Sequence, residues 1–542
     1  MTPLSNRRQF LGQAAALTLG ALTEPARGAD APVKGLVTGQ PQAALVGNDV
    51  LAAGGNAVDA IVAAALTAGV VAVPSAGIGG YGGHLVVARP DDKVTAIDFN
   101  SAAPAAAKPD LFRADDKGRV EGDVNQYGWL AAGVPGVLAG LQLALDRHGS
   151  KPFAELVKPA ISEARGGFPV TKALAKAITT AQERFRRDPG SATLFFAKGE
   201  PLAEGATFKN TDLADLLQTL ADKGRVDAFY KGAVADKIAA AFRKNGGLVT
   251  ADDLAAYKPA EVTPLTLEWR GYTVHTPPPT AGGLTVLQAL AALKALGWHE
   301  WDAKDPATVQ ARVEALRIAW ADRLRHLGDP QHVKVPTDRL LSERYARDSA
   351  DRIRTALKDR KPVEAESDGR DARGTIHLTA ADSSGMMVAL TFTHGESFGA
   401  QVTVDGLGLI LGHGMSRFDP RPGRANSVAP GKRPLHNMCP TVVTREGKPV
   451  LALGATGGRR IPNTLFDVLA YRLGEGRPLA EAVKAPRVHT EGDLALALED
   501  AWPAAVTEHF KKVGYTVRNG VGATLNAIER DPKAGALDSA SR

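Results

Sequence analysis

Cysteine is almost absent. The 542 residues include one, Cys439, so an intrachain disulfide and a thiolate zinc cluster are both excluded. Aromatic residues make up 6% of the chain, and no basic tract carries interleaved aromatics, so the sequence encodes no nucleic-acid surface. The twelve histidines include no H-E-x-x-H and no clustered Cys/His spacing, which leaves no metal site and no cofactor to assign. His377, His394, His413 and His436 lie in the carboxyl-terminal part and read singly as structural or surface histidines. The serine elbow G-x-S-x-G is missing, which weakens an α/β-hydrolase assignment. Beyond the amino terminus, no apolar run is long enough to span a bilayer.

What is present is ordinary for a soluble globular protein: 44% hydrophobic and 23% charged residues. The length alone would accommodate two or more domains. The amino terminus is more specific. Arg7-Arg8-Gln9-Phe10-Leu11 stands ahead of a mildly apolar stretch to about Leu22, and Ala26-Arg27-Gly28 follows as a small-x-small cleavage pattern. The segment reads as a signal peptide over residues 1–28, and its paired arginines resemble the twin-arginine export signal. A chance Arg-Arg in a general secretory leader is the alternative. Either way the mature chain starts near Ala29 and works outside the cytoplasm. The formal charge of +6 becomes about +4 once Arg7, Arg8, Arg27 and Glu24 are removed.

Residues 40–69 are expected to be helical, with a break at Gly54-Gly55 and Asn56 as the N-cap of a second helix. A glycine-dense loop, Gly77–Gly83, leads into a strand at Leu85–Val87. Further helices are expected over Gly136–Leu145, Lys172–Arg187, Leu213–Lys223, Lys231–Asn245, Leu284–Leu296 and Ala307–Leu327. The loop formally matches G-x-G-x-x-G through Gly77, Gly79 and Gly82. A dinucleotide site needs a strand before and a helix after, and here the order is reversed, so tight backbone packing is the better reading.

After the charged stretch Ser367–Arg373 the character changes to strands. Thr375–Ala380 alternates, Asp382–Gly385 is a turn, and Met386–Thr393 returns. With a four-residue turn Thr375 faces Phe392, and a one-residue shift sets it opposite Thr393. A second pair, Thr441–Thr444 and Val450–Leu453, runs into Gly454-Ala455-Thr456-Gly457-Gly458 and then a helix from about Ile461 to Leu473. Strand, glycine loop and helix start present N–H groups at a positive helix end, which suits a developing oxyanion. A threonine hydroxyl is a weak nucleophile without an adjacent base. Cleavage between Gly374 and Thr375 would supply one, the new α-amine, whose ordinary pKa is near 8.

Several long segments together resemble the gamma-glutamyltransferase family along nearly the whole mature length. They are Gly54–Ala60, Gly77–Gly80, Val134-Pro135-Gly136, Asn245-Gly246-Gly247 with Asp253–Tyr257, Pro277–Gly283, Thr375-x-His377, Lys432–Leu435 and Gly457-Gly458. The resemblance implies an α/β (α+β) fold, the N-terminal-nucleophile αββα four-layer sandwich. It implies self-cleavage into a large subunit, 29–374, and a small catalytic subunit, 375–542, which together make one domain. Thr375 would be the nucleophile, Thr393 its supporting threonine, and the N–H groups of Gly457 and Gly458 the oxyanion hole.

The resemblance also locates the substrate contacts, and there this chain departs from relatives that act on glutathione. Asn100 stands where they have an arginine, and His436-Asn437 replaces paired serines. Gly395, Gly414 and Arg417 stand in place of an asparagine, a glutamine and an aspartate. The expected partner is therefore a small-molecule amide whose acyl group is not a standard γ-glutamyl. A catalytically silent binding protein on the same fold and a true glutathione hydrolase are the alternatives.

Overall fold

The computed structural model describes residues 34–303, 305–365, 375–520 and 522–542. The expected signal peptide and Gly374 lie outside the described residues. Strands β1 (Gly35–Thr38), β2 (Gly82–Ala88), β3 (Val94–Asp98), β4 (Ala260–Val262), β5 (Leu265–Trp269) and β6 (Tyr272–Thr276) precede Thr375. After it come β7 (Ile376–Asp382), β8 (Met387–Thr393), β9 (Thr441–Arg445), β10 (Lys448–Thr456), β11 (Thr524–Arg530) and β12 (Leu537–Ser541). They build two six-stranded antiparallel sheets, ordered β1-β7-β8-β2-β3-β4 and β12-β11-β10-β9-β6-β5. Each sheet mixes strands from both sides of Thr375, so neither segment could complete a sheet alone.

The sheets face one another through a thin layer of small and medium apolar residues, among them Val86, Ala381, Ala389, Val442, Ala452 and Ile528. Their outer faces carry helices, which gives the four layers αββα. Helices α1 (Pro41–Ala52) and α2 (Ala57–Val71) cover the first sheet; α3 (Gly283–Leu296), α4 (Pro306–His326) and α5 (Arg460–Leu469) cover the second. Despite its length, the chain from Lys34 to Arg542 is one compact unit rather than several. The expected break and cap are both present: the Asn56 side chain accepts the N–H groups of Val58 and Asp59, and Asp59 returns a bond to the Asn56 N–H. This reciprocal cap fixes the start of a helix buried at every residue. Among the described residues no helix is long and apolar enough to cross a membrane.

Candidate active site

The β7–β8 hairpin closes one residue further along than a four-residue turn would allow. The Asp382 N–H bonds the Met386 carbonyl, leaving a three-residue loop, Ser383–Gly385. The reason is the Asp382 carboxylate: Oδ1 accepts the N–H and hydroxyl of Ser384 and the N–H of Met386, while Oδ2 accepts the first N–H of α2, that of Ala57. The resulting register pairs Ile376 with Phe392 and His377 with Thr391. Thr375, half-buried just ahead of β7, therefore falls opposite Thr393. The buried Thr393 accepts the Gly395 N–H on Oγ1 at 2.7 Å, and its carbonyl accepts the Tyr81 N–H at 3.0 Å.

The Gly77–Gly83 loop is explained by close approach of backbone. A Cβ on Gly80 would sit 2.7 Å from the Thr393 carbonyl oxygen, and one on Gly77 2.7 Å from the His394 ring. The loop clamps the end of β8.

His377 lies between the sheets with Nδ1 2.8 Å from Thr391 Oγ1 and Nε2 2.9 Å from Thr379 Oγ1. Burial pushes its pKa down to about 3, so it stays neutral. Its ring presses on the backbone of Gly454, where a Cβ would meet it at 2.2 Å. At the far end of the same strand, the Asp382 carbonyl accepts from Arg530, just past the Glu529–Leu451 pair of β11 and β10. These two fixed points align β7 with β10, so Thr375 and the end of β10 at Thr456 open at the same edge of the sandwich.

There β10 turns through Gly457 (φ 126°) and Gly458 (φ 64°) directly into α5. Both conformations lie in the region that favours glycine. The first two N–H groups of α5, those of Arg460 and Ile461, donate to the carbonyls of Gly457 and Gly458 at 3.2 and 3.1 Å. The next residue, Arg459, reaches a cleft of about 260 Å³ and holds Glu491 at 2.7 Å.

That cleft is lined by Gln126, Trp320, Arg323, Glu396, Arg417, Asn437 and Arg459, among others. None of Thr375, Thr393, Gly457 and Gly458 lines it, although Arg459 directly follows Gly458 and Glu396 directly follows Gly395 in sequence. Of the expected substrate residues, Arg417 and Asn437 are on its wall. Arg417 places its guanidinium 5.9 Å from the Tyr81 ring centre and 2.6 Å from His413 Nε2. The Asn437 side-chain oxygen accepts from Arg323 at 3.1 Å. Gly395 and Gly414 lie under this wall; a Cβ on the first would meet the His413 ring at 2.0 Å, and one on the second would meet Ser101 Oγ at 2.2 Å.

Asn100 and His436 are different. Both are buried and neither lines the cleft. The Asn100 amide, at an expected substrate-contact position, gives its hydrogens to Thr280 Oγ1 at 2.9 Å and the Pro434 carbonyl at 2.6 Å. It ties together three distant segments. His436 accepts the Met438 N–H on Nδ1, and its ring centre is 4.7 Å from that of His84. Burial, with the neighbouring His84, Arg323 and Arg417, holds its pKa well below the usual range.

The wall is cationic. Arg323, Arg417, Arg421, Arg424, Arg459 and Lys117 line it against Glu396 and Asp419. Asp419 is shared by Arg421 and Arg424, at 2.9 and 3.5 Å. Among the described residues, neither Arg323 nor Arg417 forms an ion pair. Burial, with the nearby Arg459 charge, draws Arg323 down to about 9, which leaves it a cation at neutral pH. Sequence reasoning missed Arg323, Arg459, Tyr81 and the role of His413. Arg459 alone carried a local signal, its place directly after Gly457-Gly458. No group of three or more His, Cys, Asp or Glu among the described residues is placed to hold a metal ion.

A four-layer αββα body with a threonine at the mouth of a central hairpin defines an N-terminal-nucleophile hydrolase fold. The family model described as Gamma-glutamyltranspeptidase matches residues 43–541, and the chain belongs to that family. It is 38% identical over 460 residues to the glutathione hydrolase proenzyme of Escherichia coli (strain K12), covering 82% of this chain and 78% of that one. It is 36% identical over 511 residues to the acylase ACY 1 proenzyme of Pseudomonas sp. (strain V22), covering 92% and 90%. The crystal structure of cephalosporin acylase from Bacillus halodurans superposes with a TM-score of 0.84 at 27% identity, covering 97% of each chain. The chain is thus an enzyme of the amide-cleaving hydrolase and acyltransferase class.

Proposed function

We propose that this protein is an exported, self-processing amidohydrolase that cleaves monoamides of dicarboxylic acids. In the precursor, Thr375 Oγ attacks the Gly374 carbonyl carbon, the C–N bond breaks, and water hydrolyses the resulting ester. The products are a Gly374 carboxylate and a free Thr375 amine. That amine then takes the proton from Thr375 Oγ as the hydroxyl attacks the substrate amide. The N–H groups of Gly457 and Gly458 stabilise the oxyanion, the leaving amine departs with a proton, and water releases the acid from the threonyl ester. Both relatives named above are called proenzymes, in keeping with such processing. The Arg7-Arg8 leader supports export.

Arg417 carries the assignment of the acyl group. A guanidinium on the cleft wall without a carboxylate partner among the described residues repels a substrate ammonium and offers two parallel hydrogen bonds to a carboxylate. The γ-glutamyl group has the ammonium; a glutaryl group lacks it and keeps the terminal carboxylate. The name of the Pseudomonas relative, an acylase, supports this reading, and that of the Escherichia coli relative favours γ-glutamyl. The test compares γ-glutamyl and glutaryl anilides on the matured enzyme. Faster glutaryl cleavage, lost in Arg417→Ala, is expected. Faster γ-glutamyl cleavage by the wild type makes the protein a glutathione hydrolase instead.

A further inference from the structure

We infer that His413 is a positioning residue for Arg417, and that glycine at position 395 is what makes room for it. The inference rests on the reading of Arg417 as the contact for the acyl carboxylate, and it concerns how this chain sets that specificity.

The hydrogen bonds fix the histidine tautomer. His413 Nδ1 is 3.2 Å from the Gln126 carbonyl oxygen, which can only accept, so Nδ1 carries the hydrogen. Nε2 is then a bare lone pair, and Arg417 Nη2 donates to it at 2.6 Å. A protonated ring would present hydrogens at both nitrogens and break this bond. Burial, reinforced by the Arg417 charge, keeps the pKa of His413 well below the usual range, so the ring remains an acceptor.

The backbone at both ends of the pair is held as well. The His413 N–H bonds the His394 carbonyl, the Ser416 hydroxyl bonds the His413 carbonyl at 2.8 Å, and Asn426 Nδ2 bonds the Arg417 carbonyl at 2.7 Å. An arginine side chain free to rotate would lose that freedom on meeting its ligand; one already tethered loses less. The tether uses Nη2, while Nε of Arg417 is buried without a hydrogen-bond partner among the described residues.

Gly395 completes the arrangement. A Cβ there would lie 2.0 Å from His413 Cδ2 and Nε2 and 3.1 Å from Arg417 Nη2, and the backbone is at φ +105°. Any larger residue at this position, including an asparagine, would displace the ring that Arg417 leans on. Gly395, His413 and Arg417 therefore act as one set: the side chain absent from the first admits the second, which aims the third.

The experiment uses the self-processed enzyme with two anilides, glutaryl and pentanoyl, the second lacking the terminal carboxylate. His413→Leu removes the acceptor at similar bulk, and His413→Gln restores one. In His413→Leu, KM for the glutaryl anilide should rise about 10-fold or more, with kcat nearly unchanged and the pentanoyl anilide unaffected. His413→Gln should recover most of the loss, and Gly395→Ala should raise the same KM, with a fall in kcat besides because the Gly395 N–H holds Thr393 Oγ1. A gel showing both fragments and an unchanged melting temperature guard against misfolding. If Arg417→Ala raises the glutaryl KM while His413→Leu and Gly395→Ala leave it alone, His413 does not position Arg417, and the proposal is overturned with the acyl assignment intact. If Arg417→Ala has no effect either, both readings fall together.

Discussion

Thr375 stands across the hairpin from Thr393, one step beyond the Ile376–Phe392 pair. The relationship is set by the Asp382 carboxylate at the other end of the hairpin, which shortens the loop to three residues and brings the two threonines into register. Thr393 Oγ1 accepts the Gly395 N–H, an arrangement that turns its own hydroxyl hydrogen away from that amide.

Self-cleavage is the first expectation. Purified wild-type protein should resolve on a denaturing gel into two fragments, with amino termini near Ala29 and at Thr375 by terminal sequencing. Thr375→Ala lacks the attacking hydroxyl and should stay a single chain. Wild-type protein that remains uncut after long incubation, with a normal melting transition, would favour a binding protein on this fold.

Thr393→Ala should slow maturation and turnover together. Losing one hydrogen bond to the reacting hydroxyl should raise the barrier by about 1–3 kcal/mol, or roughly 5- to 150-fold in rate. Maturation is followed by gel and turnover by anilide release. Unchanged rates in both assays would mean that Thr393 does not touch the reaction.

The parts of the fold that were legible in sequence are those whose cause is local. The Asn56 cap, the Lys172–Arg187 helix and the run from β10 through Gly457-Gly458 into α5 were readable because capping, periodicity and glycine placement act within a few residues. Asn100 and His436 were placed by position as substrate contacts, yet what occupies the Asn100 amide comes from Thr280 and Pro434, 180 and 334 residues away. No short-range pattern reports such partners. Arg323 is equally hidden: it sits on a helix buried on nearly every face, and its acceptors are His436 and Asn437, more than a hundred residues on. The edge strand β12 escaped notice because its largely exposed Leu-Asp-Ser-Ala-Ser carries no apolar alternation.

Gly454→Ala tests the contact that aligns the two sheets. A methyl group there would lie 2.2–2.6 Å from three atoms of the His377 ring, and that ring is held by two threonine hydroxyls. Relief requires breaking a hydrogen bond or separating the sheets, so destabilisation of about 1–3 kcal/mol is expected, with slower maturation. Gly454 has no positive φ to strain, and in a His377→Ala background, where the ring is gone, the same Gly454→Ala change should cost little. An equal loss from Gly454→Ala with and without the His377 ring would show that the contact adds nothing.

The last expectation concerns acid. His377 and His394 are fully buried, and burial holds the pKa of each near 3, against an ordinary value of about 6.5. Above pH 6.5 both rings are neutral in the folded and the unfolded chain, and they contribute no pH dependence. Between pH 6.5 and 3 the unfolded chain binds a proton that the folded chain excludes. Each ring then lowers the stability of the fold by about 1.4 kcal/mol per pH unit, roughly 2 kcal/mol at pH 5. Carboxylates such as Glu491, drawn down to about 2 against its own burial by His489 and Arg459, contribute in the same direction only at lower pH. The measurement is urea unfolding at pH 7.5 and pH 5.0 in the Thr375→Ala background, where a single uncut chain unfolds. His377→Gln removes one titrating ring while keeping a donor and an acceptor for Thr379 and Thr391. Its stability should fall between the two pH values by about 2 kcal/mol less than that of the parent. An identical fall in both proteins would mean that His377 takes up its proton as readily in the fold as outside it.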